Sequence, residues 1–146
     1  MTYSRRDLGL LLPALAATAS AQEKGAPKAP PMKLASKVYL YEDLPAKQNG
    51  ANTGRAVLNG LTHSDFPVEL HITELGPGQQ PHPPHQHPNE EILMLRTGHL
   101  DVTIHGETTR ATAGSVVYVA SNVLHGWKNP GPEPAQYFVI ALDHKA

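Results

Sequence analysis

The chain has 146 residues, a formal net charge of −1 and no cysteine. This length fits one domain once a processed segment is removed, and a hydrophobic content of 40% suffices for a packed core. The lack of cysteine excludes disulfides, thiolate metal sites and cysteine nucleophiles, and the near-neutral charge argues against a nucleic-acid partner. Fourteen prolines and twelve glycines predict many turns, as in a fold of short strands.

Residues 1–21 have the pattern of a bacterial export signal. Ser4-Arg5-Arg6-Asp7-Leu8 is a twin-arginine motif, residues 8–17 are apolar, and Ala19-Ser20-Ala21 is a small-residue cleavage site. The apolar stretch is too short to span a bilayer. We therefore expect twin-arginine export to the periplasm or beyond, with no membrane attachment after cleavage. An N-terminal anchor and a chance arginine pair are the alternatives.

Residues 22–36 are rich in Lys, Ala and Pro and show no periodicity, which predicts a flexible tether before a domain at 37–146. Within that domain, Val68, Leu70 and Ile72 alternate with polar residues, as in a half-buried strand. The predicted strands are residues 38–41, 55–58, 68–73, 91–96, 100–104, 108–112, 116–119, 123–128 and 136–142. Residues 44–54 are predicted to form a loop, and no helix is predicted. This series of short strands predicts an all-β sandwich or barrel.

The stretch 81–98, PHPPHQHPNEEILMLRTG, concentrates candidate metal ligands. Within this stretch the candidates are His82, His85, His87, Glu90 and Glu91, and His125 is a further candidate downstream. Imidazoles and carboxylates without thiolates suit a transition metal bound through nitrogen and oxygen. His85 and His87 are two residues apart, so on an extended segment they point to the same side. Spacing alone does not determine how Glu91 reaches them.

Two motifs in this region resemble those of the cupin superfamily. The first is Gly78, six residues, His85-x-His87, three residues, Glu91, six residues and Gly98; the second is Gly114, five residues, Ala120-x-Asn122, two residues, His125, three residues and Asn129. The chain departs from the family pattern by one extra residue before the first histidine, by Ala120 for proline and by Asn122 for glycine. Asparagine tolerates the left-handed conformation, so the last change is mild. The short spacing between the motifs is typical of small single-domain bacterial cupins.

The resemblance implies a cupin jelly roll, a double-stranded β-helix barrel with one metal ion at its centre. It implies His85, His87, Glu91 and His125 as the ligands of one divalent ion of iron, manganese, nickel or zinc. One or two coordination positions would remain open for water or a substrate.

The function expected from this resemblance is that of a metal-dependent enzyme. The leading hypothesis is a dioxygenase-like oxidoreductase that acts on a small oxygen-bearing molecule. A non-catalytic module that binds a metal or small ligand is the alternative, and a storage barrel stabilised by its metal is a third possibility. Because cupins commonly pair, a homodimer is also expected.

Several other polar residues have predicted roles near this site. His82 is the candidate catalytic group at the pocket mouth, although it can also face solvent. Glu90 should point to the opposite side of its strand from Glu91, and a register error of one residue would exchange the two. His71 is expected to be exposed or to line the barrel opposite the ligands, and Asn129 to serve in a turn. The predicted surface histidines are His63, His99, His105 and His144.

Overall fold

The computed structural model describes residues 32–143, which form an almost entirely β structure. The predicted export signal, residues 22–31 of the predicted tether, and His144 lie outside these residues. Among the described residues, no helix is long and apolar enough to cross a membrane. The one helical element there is a three-residue 3-10 helix, Tyr41–Asp43.

Nine strands follow one another through the described residues. They are β1 (Ala46–Asn49), β2 (Asn52–Leu61), β3 (Pro67–Leu75), β4 (Glu90–Thr97), β5 (His99–Ile104), β6 (Glu107–Thr112), β7 (Val116–Val119), β8 (His125–Lys128) and β9 (Ala135–Leu142). Six of them form one sheet in the order β1-β2-β3-β9-β4-β7, and three form a second sheet in the order β6-β5-β8. All neighbouring strands are antiparallel. The all-β cupin jelly roll predicted from the sequence is therefore confirmed.

The core lies between the two sheets. On β9, Ala135, Tyr137 and Val139 alternate toward one face and are 0–1% exposed. These residues pack in one cluster with side chains of the second sheet, among them Leu100 and Trp127. We call the face of the six-stranded sheet that carries Tyr137 and Val139 its inner face.

Left-handed backbone conformations set the turns that close the sheets. His105 and Gly106 have φ values of 52° and 84°, the two positive values that a tight hairpin between β5 and β6 requires. Gly98, between β4 and β5, has a φ of 79°. Asn122 has a φ of 59°, so asparagine does adopt the conformation that glycine supplies in the family pattern.

The N-terminal part of the domain differs from the sequence-based prediction. Residues 38–41 do not form a strand, and Val38 is 80% exposed. The predicted loop at 44–54 instead contains β1 and the start of β2, joined by a tight turn at Gly50. The prediction was wrong because Gly and Asn in this stretch mark one hairpin turn rather than a long loop. Leu34 donates a backbone hydrogen bond to Leu61 O at 2.8 Å, so strand pairing begins before the predicted boundary at residue 37.

We expect Gly98→Ala to destabilise the fold far more than Gly106→Ala. Both residues are left-handed, which costs an added side chain about 1–2 kcal/mol. A Cβ at Gly98 would also lie 2.7 Å from Ala135 Cα and 2.8 Å from Pro134 O, whereas a Cβ at Gly106 meets nothing within 4 Å. Urea unfolding should show losses of about 2–5 and about 1–2 kcal/mol respectively. Equal losses would contradict the close approach at Gly98.

Candidate metal centre

Backbone pairing brings the candidate ligands together from separate parts of the chain. His85, in the loop before β4, exchanges two backbone hydrogen bonds with His125 at the start of β8, each 2.9 Å long. The left-handed turn before β8 holds the next ligand, because Asn122 N donates to His87 O at 2.8 Å. Glu91 comes from β4, where it lies opposite Val119 of β7. The ligand loop is therefore fixed to both sheets by main-chain bonds.

The side chains converge on one point inside the barrel. One imidazole nitrogen from each of His85, His87 and His125 lies within 4.8 Å of those of the other two. Glu91 Oε1 lies 3.3 Å from His87 Nε2, and Glu91 Oε2 lies 3.4 Å from His125 Nε2. The His125 side chain is 1% exposed and that of Glu91 is 14% exposed. The cluster is thus largely shielded from water.

Backbone carbonyls select the tautomers of two of these histidines. His125 Nδ1 donates to Val123 O at 2.8 Å, and His87 Nδ1 donates to Asn89 O at 3.0 Å. A carbonyl can only accept, so each Nδ1 carries a proton and each Nε2 is the ring nitrogen that faces the centre. Metal-binding histidines are oriented in this way in proteins.

Three buried atoms at the centre have no hydrogen-bond partner among the described residues: His85 Nδ1, Glu91 Oε2 and His125 Nε2. Leaving a buried polar atom unpaired costs about 1–3 kcal/mol. Burial, reinforced by the neighbouring imidazoles of His82, His125 and His87 and opposed by Glu91, lowers the pKa of His85. A neutral imidazole is the form that binds a metal. Imidazole nitrogens and a carboxylate that face one another without hydrogen-bond partners fit a divalent cation.

Aromatic residues support His125 from behind. The Trp127 ring stacks on His125 with 5.6 Å between centroids and 27° between planes. Its indole Nε1 donates to the Tyr137 hydroxyl at 2.8 Å. The sequence contains a signal for this contact, because Trp127 is two residues after His125 and so shares its side of β8.

The other residues singled out in the sequence lie in different positions relative to the centre. His82 is exposed, and its ring lies 4.0 Å from that of His85 between centroids. Glu90 faces away from Glu91 across the β4 sheet, opposite Leu142. Asn129 is fully buried, and its Nδ2 donates to carbonyls that include Leu75 O and Glu133 O, which is the turn role expected. His63, His99 and His105 are exposed, as predicted.

Comparison with known proteins places this chain in a family. The family model described as Cupin_2: Cupin domain matches residues 71–141. An uncharacterized protein of Streptomyces coelicolor is 32% identical over 89 residues, which cover 61% of this chain and 80% of that protein. The chain is a member of the cupin superfamily. The match to the cupin model spans His85, His87, Glu91 and His125, so all four candidate ligands lie inside it.

Solved cupin structures share the fold at low sequence identity. An RmlC-like cupin from Shewanella frigidimarina superposes with a TM-score of 0.64 and 16% identity, covering 78% of this cupin and 96% of that chain. The polyketide cyclase RemF from Streptomyces resistomycificus gives a TM-score of 0.62 and 18% identity, covering 75% and 81% respectively. At these identities the likeness establishes the fold alone.

The buried Tyr137 should make this cupin less stable at alkaline pH. Burial raises the pKa of Tyr137 to about 12, whereas an unfolded tyrosine ionises near 10.0. Between these values the unfolded chain loses a proton that the folded protein keeps. The free energy of unfolding should therefore be unaffected below about pH 10 and fall above it, by roughly 2 kcal/mol near pH 12.

Urea unfolding at a series of alkaline pH values measures this loss. Tyr137→Phe should be less stable at neutral pH, because Trp127 loses its acceptor, but its stability should fall less steeply above about pH 10. A variant with the same alkaline slope as the wild-type protein would show that another group causes the loss.

Proposed function

We propose that this cupin is an exported metalloenzyme, a dioxygenase-like oxidoreductase that acts on a small oxygen-bearing molecule. In this proposal His85, His87, Glu91 and His125 hold one divalent ion of iron, manganese, nickel or zinc. The observation that supports it best is the set of unpaired buried atoms on His85, Glu91 and His125, which face one another in a shielded cluster. When bound, the metal would act as a Lewis acid that activates an oxygen atom of a bound water or substrate.

The protein's own residues would position the ligands and the substrate. The carbonyls of Val123 and Asn89 keep the Nε2 lone pairs of His125 and His87 directed at the centre. The cluster is closed on one side by Trp127, which excludes water behind His125. His82, next to His85 on the exposed side, would contact a substrate that enters there.

A second candidate function is a binding module without turnover. The exposure of His82 supports the binding module. An acid–base group in contact with bulk water lacks the water-excluding surroundings that strengthen its interactions with a substrate. In that case the same four ligands would hold a metal or a small ligand, and no reaction would follow.

Export and assembly belong to the same proposal. The twin-arginine motif at Arg5-Arg6 supports export of the folded, metal-loaded protein to the periplasm. A homodimer is supported by exposed apolar side chains on the outer face of the six-stranded sheet, where Val116 is 66% and Tyr118 is 56% exposed.

The first test is the metal content of the exported protein. Elemental analysis should find about one equivalent of metal in the wild-type protein. Glu91→Gln keeps the size of the side chain but removes its charge, and this variant should lose most of the metal. Glu90→Gln is the matched control, because this neighbouring carboxylate lies on the opposite face of β4. Equal metal content in the two variants, or a metal-free folded wild-type protein, would contradict the proposed ligand set.

The second test separates the enzyme from the binding module. His82→Ala should keep its metal but lose turnover about 100-fold in a panel of small phenols, diketones and hydroxy acids, followed by oxygen consumption. His63→Ala, which removes another exposed histidine, is the control. Unchanged turnover in His82→Ala would exclude a role for His82 in the reaction. A metal-loaded wild-type protein that binds these compounds without converting them would favour the binding module.

A further inference from the structure

A second pair of ionisable residues lies on the inner face of the six-stranded sheet. Ala141 of β9 is opposite Glu69 of β3 on one side and Glu91 of β4 on the other. Val139 is likewise opposite His71. Directly opposed residues of antiparallel strands share a face. Glu69 and His71 therefore lie on the same face as the buried Val139 and the candidate ligand Glu91.

One strand, β9, lies between this pair and the candidate ligand Glu91. Two strand spacings, about 9.5 Å, separate the backbones at Glu69 and Glu91. The residue between them is Ala141, which contributes only a methyl group. The side chains of His71 and Glu69 are 33% and 48% exposed, against 14% for Glu91. The pair on β3 is thus more accessible to solvent than the candidate ligand Glu91.

A cleft connects His71 with the loop that carries the ligands. Its volume is about 770 Å³, and its lining includes His71, Thr73 and Gly54 on one side and Pro81 on the other. Pro81 directly precedes His82, whose ring lies 4.0 Å from that of His85. A molecule in this cleft can therefore contact both His71 and Pro81, which precedes the candidate ligand His85 by four residues.

The pair itself has the arrangement of an oriented base. His71 Nδ1 lies 3.3 Å from Glu69 Oε1. An ion pair at this distance would place a proton on Nδ1 and leave Nε2 as the ring nitrogen directed away from Glu69. The alternative is an ordinary half-exposed ion pair, which would contribute about 0–1 kcal/mol to stability and nothing else. Its location on the inner face, where the neighbouring positions on β9 are apolar, distinguishes it from a surface pair.

We propose that His71, oriented by Glu69, is the base that removes a proton from a small hydroxycarbonyl substrate. This inference rests on the proposed metal-dependent function. The C–H bond next to the carbonyl, or the adjacent O–H bond, breaks, its proton forms a bond to His71 Nε2, and its electron pair stays on the substrate as an enolate or alkoxide. The Glu69 carboxylate stabilises the resulting imidazolium, so Glu69 is a positioning residue. Two adjacent oxygens on the substrate suit a centre with open coordination positions.

Proton exchange of hydroxyacetone, a small hydroxycarbonyl probe, tests the proposal on the full metal-loaded protein. In heavy water, NMR should show that the wild-type protein exchanges the protons next to the carbonyl. His71→Gln should lower the exchange rate at least about 100-fold. Glu69→Gln should lower the rate about 10-fold at saturating probe with unchanged probe affinity. His99→Gln, an exposed histidine of the other sheet, should change neither value.

A readout independent of turnover is the tautomer of His71. Nitrogen NMR of the metal-free protein should show the proton of His71 mainly on Nδ1, and Glu69→Gln should reduce that population. A merely structural ion pair predicts no link between this population and the exchange rate.

The possible results distinguish the two proposals. A metal-free wild-type protein would overturn the proposed function, whereas His71→Gln, Glu69→Gln and His99→Gln should all keep the metal content of the wild-type protein. If the metal is retained, two results would overturn the role of His71. One is proton exchange of hydroxyacetone that persists in His71→Gln, and the other is a metal-loaded wild-type protein that exchanges these protons no faster than the buffer does.

Discussion

The approach of the Glu91 carboxylate to the imidazoles of His87 and His125 inside the barrel is the constraint on which the centre depends. Lone pairs and a negative charge face one another at 3.3–3.4 Å, largely out of contact with water. Such an arrangement is costly unless a cation or proton lies between the atoms. The fold can impose it because the main chain, rather than the side chains, fixes where these residues lie. His85 and His125 are joined by a pair of backbone hydrogen bonds, and Asn122 holds the backbone of His87.

The buried polar residues around the centre have hydrogen-bond partners within the protein. Asn129 is fully buried and bonds to carbonyls on both sides of its loop, and Trp127 bonds to the buried Tyr137. These contacts hold β8 at Trp127 and in the loop that follows the strand, whereas His125 lies at its start. Rigid support of this kind lets a site keep its donor atoms in place before a ligand arrives. The unpaired atoms are therefore confined to the centre, where a metal would satisfy them.

Much of this fold could be predicted from the sequence because turns and alternation are local signals. The strand at 116–119 was predicted with its observed bounds, and the left-handed Asn122 was anticipated from the motif. The hairpin around Gly50 was missed because its flanking strands gain their identity from pairing with β3, which no local pattern encodes. The motif spacing indicated the ligands, but only the folded backbone shows how Glu91 reaches His125.

In β3, the alternation of apolar and polar residues identifies the strand but does not predict which of its faces points into the barrel. The apolar phase of Val68, Leu70 and Ile72 would ordinarily be assigned to the core. In the structure this phase lies on the outer face, and the polar phase with Glu69 and His71 shares the inner face with Val139. Both faces of this sheet are apolar in part, so periodicity identifies the strand but not its orientation. Glu69 and the candidate ligand Glu91 are both opposite Ala141, so the polar phase of β3 lies on the same face as the metal centre.

The most direct test of a four-ligand centre is anomalous X-ray diffraction from crystals of the metal-loaded protein, recorded at the absorption edge of the bound metal. The account predicts one peak enclosed by Glu91 and by nitrogens of His85, His87 and His125, at about 2.0–2.2 Å from each. A peak at another location, or no peak between these side chains in crystals of protein that carries metal in solution, would contradict it.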